Sequence, residues 1–290
     1  MPLVRLARTV VVASSVALAA SGVALSASGP ARAAVAGPSP VTINQTSPLP
    51  STATGPEPLF ERATAVTASA PSWGGYIARG PKFRYIQATF TVPRLNCRKT
   101  PGTAKQPDVV YDWVGLDGTT QPATVEQDGV GAECWKGGAF YGIWWEMFPK
   151  SPVFSQSIAV FPGQRIQASV YYSSASRKYH LVVNDLSNGE GFSTWQRCST
   201  SHCANGTAEV ITESPCKAVA CNSWVPMADF GTSSYWNISI TDASGQRGAF
   251  ASSHWQNIKV VMIDGGGRVK AQVSNLSHGT AFKTYWKSAS

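Results

Sequence analysis

The sequence predicts an all-β fold, a sandwich or a barrel, on three observations. Short apolar runs alternate with period two. Gly, Pro, Asn and Ser punctuate them at short intervals. No stretch carries the 3.6-residue apolar spacing of an amphipathic helix. Each expected strand follows from its own pattern. Ile86, Ala88, Phe90 and Val92 share one face of a strand that ends at Pro93. Ile166, Ala168, Val170 and Tyr172 repeat the pattern, with Gln167 and Ser169 opposite. Trp236, Ile238 and Ile240 do so again, against Asn237, Ser239 and Thr241. Residues Lys259 to Asp264, the run Gly265–Gly267, and Arg268 to Val273 read as a β-hairpin.

The amino terminus reads differently. Arg5 and Arg8 precede an acid-free apolar run from Thr9 to about Leu25, and Ala31-Arg32-Ala33 fits a small-x-small cleavage site. Residues 1–33 are therefore expected to be an export signal. Ser and Gly interrupt the run and no stop-transfer flank follows, which disfavours a membrane anchor. Residues 34–70 are rich in Ala, Ser, Thr and Pro, a linker or pro-segment composition. The folded part is then expected at 71–290, enough for one sizeable domain.

Charge narrows the function classes. The chain is +8 overall, and loss of Arg5, Arg8 and Arg32 with the signal leaves about +5. Its Lys and Arg residues are scattered rather than clustered, which argues against nucleic acid as a partner. Carboxylates are few, so few groups penalise the fold when protonated, and an acidic working medium is permitted.

Six cysteines in an exported chain point to disulfides. Proximity favours Cys198 with Cys203 and Cys216 with Cys221, leaving Cys97 for Cys134. A zinc site from Cys198, His202 and Cys203 is the rival reading, disfavoured because adjacent His and Cys rarely both reach one tetrahedral ion and no CxxC pair exists. No metal or other cofactor is expected.

GxSxG and HExxH motifs are absent, and His180, His202, His254 and His278 sit in no catalytic or metal motif. Attention falls on polar groups inside strand-like runs, where burial costs several kcal/mol, roughly, unless partners compensate. Period-two geometry puts Glu209, Ile211 and Glu213 on one face, Val125 and Gln127 on one face, and Trp144, Glu146 and Phe148 on one face. Gln127, Glu146 and Glu213 can thus project together from a sheet among apolar neighbours.

These segments resemble the glutamic peptidases of the eqolisin family, whose founding members are secreted fungal acid proteases. The resemblance runs through Ser72-Trp73-Gly74-Gly75, Ala88–Pro93, Trp113–Gly118, Gln127-Asp128-Gly129, Tyr141–Pro149, Ala208–Glu213, and Gly279–Phe282 through Trp286. It covers about residues 71–287. It implies a sandwich of two large antiparallel sheets, jelly-roll-like, that hydrolyses peptide bonds at acidic pH with a Gln/Glu dyad and neither metal nor covalent intermediate. The dyad falls on Gln127 and Glu213. Trp73, Trp113, Asp117, Trp145 and Glu146 fall around it as supporting or substrate-contacting residues. Polypeptides are the implied partners of a monomeric, extracellular protein with no stable membrane association after signal removal. The chain departs from the family pattern at Ser72, Met147, Phe148, Thr212 and Ser214, and in its basic charge. Ten Trp, nine Tyr and eleven Phe also suit a second class, a secreted carbohydrate-binding sandwich without hydrolytic activity. A catalytically dead relative is a third reading, against which the retained Gln127 and Glu213 speak.

Overall fold

The computed structural model describes residues 66–119, 124–217 and 223–290. The expected export signal and nearly all of the 34–70 segment lie outside these residues. Every named element among the described residues is a strand: β1 (Val66–Ala70), β2 (Trp73–Arg79), β3 (Phe83–Thr91), β4 (Asp108–Asp117), β5 (Val125–Trp135), β6 (Gly138–Phe148), β7 (Val153–Phe154), β8 (Arg165–Ser173), β9 (Lys178–Asp185), β10 (Gly191–Arg197), β11 (Thr207–Glu213), β12 (Thr232–Asp242), β13 (Arg247–Gly248), β14 (Gln256–Ile263), β15 (Val269–Val273) and β16 (Phe282–Trp286).

Hydrogen bonding joins all but β1 and β13 in one path, β10-β9-β8-β3-β12-β16-β15-β14-β2-β11-β4-β5-β6-β7, and β13 pairs with β12. The path folds back on itself into two layers, with β16 and β15 carrying it from one to the other. Pairing along it is antiparallel, and β1 adds to β14 in parallel. Alternation explains the layering. Ala78, Val114, Leu116, Val130 and Val210 from one layer meet Ile86, Ala88, Phe90, Ile166, Val170 and Ile240 from the other in a common buried cluster. The hairpin forms as expected, closed by the backbone N–H of Asp264 to the Arg268 carbonyl.

Two expectations change. Val66–Ala70 pairs with Ile258–Met262 although its composition carries no core signal, so strand structure begins ahead of Pro71; only Ala70 of this strand is buried. In β12 the register shifts between Trp236 and Ser239, and Asn237 takes a φ of 52°. That bulge inserts one residue, so Tyr235 rather than Trp236 joins Ile238 and Ile240 inside, and Trp236 is half-buried.

Cys97 pairs with Cys134 and Cys198 with Cys203. Cys216 is also disulfide-bonded, and Cys221, the partner expected for it, lies outside the described residues. The zinc reading of Cys198, His202 and Cys203 falls, because both sulfurs are committed to a disulfide and no thiolate is left to ligate.

Between the layers lies a polar knot. Thr212 Oγ1 donates to Asp112 Oδ1 (2.9 Å), Ser233 Oγ donates to Asp112 Oδ2 (2.7 Å), and the Tyr235 hydroxyl donates to Asp112 as well. Thr284 Oγ1 lies 2.7 Å from Thr212 Oγ1. Such a network is directional where apolar packing is not, so it fixes the height of β11 at the residue preceding Glu213.

Candidate active site

β11 lies between β2 and β4. Glu213 stands opposite Trp73 and Tyr111, Ile211 opposite Gly75 and Trp113, and Glu209 opposite Ile77 and Gly115. Across β4, Gly115 stands opposite Gln127, and Gln127 opposite Glu146 on β6. Side chains two apart share a face, so these residues all project to the outer side of their layer. Glu213 and Gln127 therefore flank β4 on one face, four positions apart along it, with Trp113 between them.

Trp113 links the two. Its indole Nε1 donates to Glu213 Oε2 at 2.8 Å. Its far edge covers Gly115, where an added Cβ would stand 2.9 Å from the ring and 3.2 Å from the Gln127 Cβ. Glycine at 115 is what lets the indole lie flat against the strand. Trp73 meets Trp113 edge to face, centroids 5.1 Å apart. It presses on Gly118, whose φ of 107° and 2.6 Å clearance from that ring exclude any side chain.

Gln127 Nε2 donates to Glu146 Oε2 at 2.7 Å, which fixes the orientation of the amide. Burial pushes the Tyr111 phenol up, and the charges of Glu133, Glu146 and Glu213 push it further, so Glu146 and Glu213 act on the same small volume. Asp117 has a different task. With φ at 69° it turns its carboxylate to accept the backbone N–H groups of Asn205 and Gly206, both at 2.7 Å, and so pins the lead-in to β11. Gln127, Glu213, Glu146, Asp117, Trp73 and Trp113 are all fully buried.

One expected member is elsewhere. Trp145 packs against the cluster between the layers, on the face opposite Glu146, because alternation sends neighbours to opposite sides. Trp144 is the β6 indole on the site face, tilted against Tyr111 with centroids 5.0 Å apart.

Sequence reasoning missed Lys270. In the expected hairpin it alternates with Val269 and Ala271 and reads as an outward residue. It is 3% exposed. Its Nζ donates to Ser214 Oγ at 2.8 Å and reaches the Pro71 carbonyl at 3.4 Å, clamping the residue after Glu213 and the one two before Trp73. Burial pulls this amine down to about 8, partly offset by Asp264 and Glu213, so it remains a cation in acid. A nearby cation favours an ionised carboxylate. Lys270→Met is expected to move the acid limb of the pH–rate profile upward by about one unit. An unmoved limb in a folded variant removes Lys270 from the electrostatics of the site.

The sequence model of the Peptidase A4 family matches residues 71–283. The chain belongs to the Peptidase A4 family. Its similarity to Aspergillopepsin-2 of Aspergillus niger is 25% identity over 191 residues, spanning 61% of this chain and 66% of that protein. Among solved structures, scytalido-glutamic peptidase in complex with a peptide-based transition-state analogue superposes with a TM-score of 0.61 at 24% identity, over 75% of this chain and 98% of that one. Aspergilloglutamic peptidase from Aspergillus niger superposes with a TM-score of 0.53 at 23% identity, over 62% and 99%. The Peptidase A4 member described here therefore shares the β-sandwich fold of these proteins, and the matched span includes every strand from β2 to β15.

Proposed function

We propose that this Peptidase A4 member is a glutamic endopeptidase that hydrolyses polypeptides in acid, with Glu213 as base and Gln127 as oxyanion donor. The observation that carries the reading is the pairing of these two groups on one face, each held by its own hydrogen bond, on either side of Trp113. In the proposed cycle one Glu213 oxygen, Oε2, stays with the indole. The other removes a proton from a water molecule as its oxygen attacks the scissile carbonyl carbon. The second N–H of Gln127 Nε2 donates a hydrogen bond to the oxygen of that carbonyl as it takes on charge, and keeps its proton. The tetrahedral adduct collapses as protonated Glu213 gives its proton to the departing amine, which returns Glu213 to the carboxylate and releases acid and amine. Glu146 orients Gln127, and Asp117 and the Asp112 knot hold β11 in place.

Acid suits this chemistry: the leaving nitrogen is protonated more readily, while the base needs only a pH above its own pKa. The disulfides and the expected export signal favour an extracellular workplace for a monomeric enzyme. Incubation of the purified chain with denatured protein, from about pH 2 to about pH 7 and with a chelator present, is expected to release internal peptide fragments with a maximum below neutrality. Absence of cleavage across that range, or loss of cleavage on chelation, sinks the proposal.

A further inference from the structure

The layer that does not carry the dyad has an organised outer face of its own. Register aligns Thr241 on β12, Tyr85 on β3, Tyr171 on β8, His180 on β9 and Trp195 on β10 in one row across the strands. Four inter-strand steps make a track of about 19 Å. The row is open toward its β8–β10 end, where Trp195 is 46% and Tyr171 37% exposed, and closes at Thr241, which is buried. His180 stacks on Trp195 at 4.4 Å, and Tyr171 meets the same indole edge-on. Beside it runs a second row, Ser239, Gln87, Ser169, Val182 and Ser193, which is polar at four of its five positions.

Cations border the track. A groove of about 390 Å³ over Tyr85 and Tyr171 is edged by Arg84 and Arg247. It adjoins a pocket of about 530 Å³ that shares Arg84 and Tyr171 and adds Lys82, Arg177 and Arg197. No carboxylate lines either hollow, and none of these five cations forms an ion pair among the described residues. The Asp242 carboxylate at the end of β12 is taken up by the Ser244 hydroxyl and the backbone N–H of Gln246. Gathered like charges repel one another, and an ordinary solvated surface mixes signs.

We propose that this face binds an acidic polysaccharide. The chemistry of the three features converges on that class. Exposed Tyr and Trp rings offer apolar faces with polar edges to sugar rings. Gln87, Ser169 and Ser239 offer hydrogen bonds to hydroxyls. The guanidinium groups match carboxylates in bidentate geometry. Nucleic acid would use similar charge and stacking, but the disulfides place the chain in an oxidising compartment. The site would tether the protein by one layer and leave the dyad face of the other layer turned away from the polymer. It stands independently of the peptidase reading.

Affinity electrophoresis of the full chain through gels containing polygalacturonate, neutral dextran or single-stranded DNA tests it. Retardation is expected with polygalacturonate and not with dextran, weakening as salt is raised. The double variant Arg84→Gln/Arg247→Gln is expected to lose about tenfold in affinity, and Tyr171→Ala/Trp195→Ala a similar factor, with thermal melting and cleavage of soluble substrate unchanged. No retardation by polygalacturonate, equal retardation of the folded variants, or equally tight binding of single-stranded DNA overturns it. Retardation of a chain that cleaves no protein leaves this site standing and removes only the dyad proposal.

Discussion

Glu213→Gln is expected to slow hydrolysis of denatured protein by about 10²–10⁴-fold while the protein stays folded, because the carboxamide can still accept the Trp113 indole hydrogen but cannot take a proton from water. Gln127→Ala is expected to cost about 10²–10³-fold, the range for removal of one oxyanion donor. It also leaves a Glu146 oxygen without its amide partner, so its melting temperature should drop, and rates must be compared at a temperature where both proteins are folded. The informative control is Glu209→Gln. Glu209, not Glu213, sits directly across Gly115 from Gln127, and it is equally buried. If Glu209→Gln loses activity and Glu213→Gln does not, the base belongs two alternation steps earlier in β11. Trp113→Phe adds a finer test. It keeps an aromatic ring at the position while removing the indole N–H and part of the edge that covers Gly115, so kcat should fall by about tenfold with KM little changed, the pattern of a positioning loss.

Much of this geometry is legible from period-two spacing. Alternation alone puts Glu209 and Glu213 with Ile211, and Glu146 with Trp144 and Phe148, and the structure keeps each set on one face. The same rule sends Trp145, a candidate for substrate contact or support, to the opposite face, where it packs against the cluster between the layers. What stays hidden depends on contacts distant in sequence. The Asn237 bulge that exchanges Trp236 for Tyr235 leaves no mark in the local pattern. Asp112 reads as one more polar residue in a strand until Ser233 and Tyr235, more than 100 positions away, close around it. Lys270 looks solvent-facing because its own strand alternates, and only the approach of Ser214 and Pro71 buries it. β1 carries no apolar signal, since its role is backbone pairing to β14.

The interior acids set how the fold responds to pH. Burial pushes the Glu126, Asp128 and Glu209 carboxyls well above the usual carboxylate range, with the charge of Asp117 adding to the first and last. Burial also raises Asp112 to about 6, against the pull of its Tyr235, Ser233 and Thr212 hydrogen bonds. Glu126 Oε1 lies 3.0 Å from Cys203 Sγ, and a disulfide sulfur has no proton to give, so a hydrogen bond there requires the protonated acid. The Val182 backbone N–H beside Asp128 and the Thr207 hydroxyl beside Glu209 pull against that burial without offsetting it. An acid whose folded pKa is raised adds stability that is complete below its unfolded pKa. That stability is lost as pH climbs, because the unfolded chain releases its proton first. For Asp112 alone the loss between about pH 4 and about pH 6 is about 2 kcal/mol, and Glu126, Asp128 and Glu209 add losses of the same sign that continue above that window. Two cations with lowered pKa oppose this trend among the described residues: Lys270 titrates near 8, outside the window, and burial pulls the His180 imidazole down, a gain with rising pH that falls inside it but sets one partly exposed group against four buried acids. The melting temperature is therefore expected to peak near pH 4 and fall steadily toward neutrality. Asp128→Asn should flatten that slope by up to about 1.4 kcal/mol per pH unit. A melting temperature that holds constant or rises from pH 4 to pH 7 would mean that these carboxyls ionise inside the fold. The proposed acid optimum would then owe nothing to the scaffold and rest on the dyad alone.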